Sequence, residues 1–94
     1  LEEAAQFRPG DTELHLRAAT LAWQLAGQDA EELKRARRLA AAACEVEPER
    51  ADLRLLLGRI YKQAGLVANA RRELEAALSL EPRSAEAKAE LKSL

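Results

Sequence analysis

The sequence predicts an all-α fold of helical hairpins, each packed on the next as a repeat. Three observations predict it. Hydrophobic residues make up 48% of the 94 residues, but aromatics only 3%. The apolar content is therefore mostly alanine and leucine, which suits closely packed helices rather than a sandwich or barrel. Apolar positions recur at three- and four-residue spacing, the period of one helix face. Pro48 and Pro82 sit in matching text, CEVEPERAD and LSLEPRSAE, 34 residues apart. A period near this length with helix–turn–helix content is a repeat signature.

The elements follow in chain order. Counted back from Pro9, the residues Leu1, Ala4 and Phe7 match Leu74, Ala77 and Leu80 counted back from Pro82. Residues 1–8 therefore read as the end of a preceding repeat. Residues 12–47 read as one repeat. In it His15, Ala18, Ala19 and Ala22 take the places of Arg54, Leu57, Gly58 and Tyr61, and Ala36, Ala40 and Ala43 those of Ala70, Leu74 and Ala77. This unit is five residues longer, around Gly27 to Glu31. Either its turn is longer or its helices gain a turn. Asp29 with Glu32 three residues on reads as a capping box opening a helix from Glu31 to Val46.

Residues 51–81 form the best-patterned unit. A first helix spans 51–64, with Leu53, Leu56, Leu57, Ile60, Tyr61 and Ala64 at helical spacing, and Gly65 stops it. A second spans 67–80, with Val67, Ala70, Leu74, Ala77 and Leu78 on one face. So short a turn forces the two to lie antiparallel and in contact. Gly58 falls in the middle of the first helix, where glycine costs about 1 kcal/mol relative to alanine. Placed inward opposite Ala70 and Ala77, it lets the two backbones approach closely. After Pro82, Ser84 reads as the N-cap of a final helix over 85–94, a partial unit or capping helix. Incomplete units at both ends would leave Leu1, Ala4, Phe7 and Leu94 exposed and favour end-to-end pairing of two copies. The chain reads as part of a longer protein. Its arginine and alanine content points to a GC-rich bacterial source, and the expected location is cytoplasmic.

Several chemistries find no support. Fifteen basic and sixteen acidic side chains give a net charge of −1, with no global pull toward nucleic acid or an anionic membrane. No apolar run reaches the length of a membrane span, so no membrane insertion is expected. The one cysteine, Cys44, excludes an internal disulfide and reads as a small core filler. The lone His15 reads as a helix-surface residue. No phosphate loop, nucleophile–base pairing or metal-spaced carboxylates occur, so neither catalysis nor a cofactor or metal is expected. The run Lys34-Arg35-Ala36-Arg37-Arg38 is the one dense charge block. It reads as the outer side of a helix, balanced by Glu31 and Glu32 one turn earlier, with an anion or nucleic-acid surface as the lowest-ranked alternative.

Arg54-x-x-Leu57-Gly58-x-x-Tyr61, followed by Ala70-x-x-x-Leu74, Ala77 and Pro82, resembles the tetratricopeptide repeat pattern. The departures are Arg54, where the family usually has tryptophan, and Leu74, where it often has phenylalanine. The resemblance implies a short right-handed superhelix and non-catalytic binding of a protein or peptide segment in a concave groove lined by the first helices. The groove residues it implies are Glu13, Leu16, Thr20, Trp23 and Gln24, then Asp52, Leu55, Arg59, Lys62 and Gln63. Arg59 and Lys62 would suit an acidic segment. Trp23 has two readings, a partner anchor or a plug beneath the longer turn. Co-chaperone members of the family clamp a carboxylate with lysine, arginine and asparagine. The matching places here hold Leu16, Thr20, Leu56, Glu86 and Glu90, so that activity is not implied. The alternative function is structural, a spacer or self-association unit between other domains.

Overall fold

In the computed structural model, which describes residues 11–27 and 29–94, the chain is all-helical. Five helices follow one another: α1 (Asp11–Ala26), α2 (Ala30–Val46), α3 (Ala51–Gln63), α4 (Val67–Leu80) and α5 (Ala85–Lys92). The expected features at Leu1, Ala4 and Phe7 lie outside the described residues. Helices α1 and α2 form one hairpin and α3 and α4 a second. Helix α2 packs on α3, and α5 closes against α4.

The helix ends follow local chemistry. Asp29 accepts hydrogen bonds from the backbone N–H groups of Glu31 (2.9 Å) and Glu32 (3.3 Å), capping α2. The reciprocal half of the expected box is absent, because the Asp29 N–H donates to the Ala26 carbonyl instead. Ser84 Oγ accepts from the Ala87 N–H at 3.1 Å and caps α5. Gly65 ends α3 with φ of +85°. The Leu66 N–H donates to the Tyr61 carbonyl and the Gly65 N–H to that of Lys62. This paired closure needs a left-handed residue at Gly65. The extra residues of the first hairpin lengthen its helices rather than its turn. Helices α1 and α2 have 16 and 17 residues, against 13 and 14 in α3 and α4.

Gly58 is buried where α3 meets α4. A Cβ there would stand 2.7 Å from Leu74 Cγ, 2.8 Å from Leu74 Cδ2 and 3.4 Å from the Ala70 carbonyl oxygen. The missing side chain is therefore required by Leu74, not by Ala77 as the pattern suggested. Ala77 packs with Leu55, Leu74 and Ala87, toward α5. The larger core cluster joins Ala19, Ala36, Ala40, Ala43 and Cys44 of the first hairpin to Leu53, Leu56, Leu57 and Ile60 of α3. Cys44 is buried and free, as a filler should be. Burial pushes its thiol up from the ordinary value, and the nearby Arg54 offsets this only in part. Leu94, expected to be exposed, is half-buried against the α4–α5 cluster, and His15 is half-buried too.

Candidate functional site

Two surfaces come out of this packing. The first is the face shared by α1, α3 and α5. Three contacts tie α1 to α3 in ascending order. Glu13 pairs with Arg50 at 2.7 Å, just before α3 begins. The Arg59 guanidinium lies 5.8 Å from the centroid of the Trp23 ring. Gln63 Nε2 donates to the Gly27 carbonyl. The order 13–50, 23–59, 27–63 means that α1 and α3 run parallel, side by side. Helix α5 continues the row. Glu90 accepts from Arg59 Nε at 3.0 Å and from Lys62 Nζ at 2.8 Å.

All ten residues implied by the resemblance lie on α1 and α3, but most have an internal partner. Glu13 and Asp52 both serve Arg50. Thr20 Oγ1 donates to the Leu16 carbonyl at 2.7 Å. Arg59 and Lys62 already share Glu90 as an ion-pair partner, with Glu86 4.0 Å from Arg59. Partial burial pushes the Glu90 carboxyl up. Hydrogen bonds from Lys62 and Arg59 outweigh that and hold it below the usual carboxylate range. Leu55 is no groove floor; it is buried beneath α5, against Ala87. Leu16 and Trp23 are half-buried against the main core. Gln24 is exposed and makes no hydrogen bond with another described residue.

Trp23 is a packing residue, set against the core rather than beneath a lengthened turn. One side of its ring packs on the core, and Arg59 covers part of the rest. Its indole N–H is buried without an acceptor. An orphan donor of this kind costs about 1–3 kcal/mol, so the ring is held by its apolar contacts.

The second surface is a cleft of about 410 Å³ between the first half of α2 and the turn joining α3 to α4, with Gln63 at its border with the first. Leu33, Ile60, Tyr61 and Leu66 line it with Lys34 and Arg37. The charge block was expected to lie wholly on the outer side of α2, paired with Glu31 and Glu32. Arg37 is instead half-buried in this cleft, and among the described residues no ion pair joins the block to either glutamate. The signal was present in the chain. Leu33, Ala36 and Ala40 are buried, and Arg37 borders that stripe, one residue after Ala36 and four after Leu33.

Among the described residues no group of histidine, cysteine or acidic side chains is arranged to hold a metal ion. No described helix is long and apolar enough to cross a membrane. No family model, curated protein or solved structure matches the chain.

Proposed function

We propose that the chain is a non-catalytic protein-interaction module, tetratricopeptide-like in its sequence pattern and stacked as a short right-handed superhelix. On this reading it binds a partner segment across the α1–α3–α5 face, in a cytoplasmic setting. The observation that carries the reading is the parallel row of α1, α3 and α5, with the half-buried Trp23 at its centre beneath Arg59. Such a face offers one aromatic anchor within a rim of charges, and the anchor dominates binding in that arrangement. Isolated rim charges contribute only about 0–1 kcal/mol each.

The test is selection of peptides from a displayed random library on the full chain. Selected peptides should weaken several-fold on Trp23→Phe and on Gln24→Arg, with helicity unchanged. They should bind a chain reversed at Arg35 and Arg38 as they bind the original. Peptides that ignore Gln24 and Trp23 but depend on Arg35 and Arg38 would overturn the assignment.

A second reading, self-association as a structural unit, is favoured by one observation. Leu14, Leu21 and Leu25 of α1 are 62%, 56% and 76% exposed. With Ala18, also exposed, they follow a four–three–four spacing, one continuous seam along the helix. On this reading the mass measured by sedimentation rises with concentration, and Leu21→Glu with Leu25→Glu abolishes the rise.

A further inference from the structure

The cleft between α2 and the α3–α4 turn shares Gln63 with the face above and is otherwise lined by other residues. Its walls are apolar: Leu33 from α2, Ile60 and the Tyr61 ring from α3, and Leu66 from the turn. No acidic side chain lines it. Lys34 and Arg37 stand one helical turn apart on the same flank. Neither side chain makes an ion pair or hydrogen bond with another described residue. For Arg37 this is unusual, because the side chain is half-buried. A guanidinium held beside apolar surface keeps its charge and gains most from an anionic partner in that setting. Other arginines at comparable exposure are all paired: Arg50 with Glu13, Arg54 with Glu73, and Arg59 with Glu90.

We propose that this cleft is a binding site for a small amphipathic organic anion, an alkyl or aryl carboxylate. Its apolar body lies against Leu33, Ile60 and Leu66, and its carboxylate is shared by Arg37 and Lys34. The volume of about 410 Å³ falls within the range of small-molecule sites. Two cations on one flank match a single two-oxygen head group rather than charges strung along a chain. The walls come from helices and the α3–α4 turn, with no strand among them, so they offer an extended peptide no sheet edge to pair with.

The probe is sodium octanoate, titrated into the full chain and followed by amide chemical shifts. Saturable shifts are expected at residues 33–37 and 60–66. Octanamide, the same body without the charge, should bind far more weakly. Lys34→Gln with Arg37→Gln should weaken octanoate by about tenfold or more, since charge-assisted hydrogen bonds are lost. The paired control, Arg35→Gln with Arg38→Gln, removes the same charge from exposed positions and should bind as the unaltered chain does. Equal binding of octanamide, or equal loss in both double variants, would overturn the proposal. So would shifts confined to α1, or no saturable shift at all. An acetylated tripeptide ending in leucine that binds where octanoate does not would overturn the small-anion assignment in favour of a polypeptide C-terminus.

Discussion

The two hairpins solve one packing problem in different ways. In the second, glycine faces leucine: Gly58 gives up its side chain so that Leu74, fully buried, can fill the space between α3 and α4. In the first, the matching positions are both alanine. Ala19 and Ala40 are fully buried in one cluster with Ala36 and Ala43. Either pair lets two helices approach, but they remove unequal apolar area from water. A leucine contributes about 1.5–3 kcal/mol on full burial, and alanine far less. The first hairpin directs Leu14, Leu21 and Leu25 outward, and among the described residues it holds both buried side-chain polar atoms that lack a partner, Thr12 Oγ1 and Trp23 Nε1. Backbone closeness and hydrophobic stabilisation are thus separable. The second hairpin has both, and the first leans on α3 for its core.

The largest expected effect tests the glycine–leucine pair directly. Leu74→Ala should cost about 2–5 kcal/mol, the range for emptying a core leucine site. Gly58→Ala alone should destabilise, because its Cβ would meet the fully buried Leu74 at 2.7 Å and force it to shift. In the Leu74→Ala background the same change should reverse sign and stabilise by up to about 1 kcal/mol, the helix-propensity gain. The double variant would recreate the alanine pair of the first hairpin. Denaturant unfolding of all four proteins measures the coupling, and additive effects would refute the account.

Gly58→Leu comes next, at about 1–3 kcal/mol through overpacking. Unfolding at unchanged denaturant concentration would remove the reason given for the glycine.

A smaller effect concerns the orphan atoms of the first hairpin. Thr12→Val and Trp23→Phe each delete a buried polar group without a partner. Each should leave thermal stability within about 1 kcal/mol or raise it, because the desolvation penalty goes with the group. A loss well beyond that would mean that the group has a partner after all.

The smallest effect is local and sharpens the comparison at the α5 end. The Glu90 carboxyl is held below its ordinary value in the fold, so the unfolded chain takes up its proton first as pH falls. Its contribution is complete above the ordinary value of about 4.3 and is lost as pH drops through the lower folded value. Protection of the α5 amides against exchange, corrected for the intrinsic rate at each pH, should therefore fall below about pH 4, before that of α3 does. Glu90→Gln should remove that pH dependence while leaving α5 helical.

Most of the helical layout was legible because its signals are local. Pro48 and Pro82, the Asp29 and Ser84 caps, the Gly65 stop and the three- and four-residue stripes each act within a few residues of themselves. Val67–Leu80 is bounded as its pattern requires, and α3 ends one residue early, at Gln63. The site was legible only as a row of positions. Arg59 and Lys62 read as free groove cations because Glu90, 28 and 31 residues away, could not be brought to them by any local rule. Arg37 read as an outer-face charge although its place beside the Leu33–Ala36–Ala40 stripe was legible in the spacing.

The sequence by itself determined that the described chain is all-helical, where its helices start and stop to within a residue or two, and most of the positions that face inward, because helical periodicity and capping depend on neighbours along the chain. Only the tertiary structure decided which charges neutralise one another, which way the Trp23 N–H points, and which cations are left beside an apolar cleft. Long side chains reach several ångströms in many directions. Their partners are fixed by how one helix lies on the next, a relation that residue spacing within either helix does not carry.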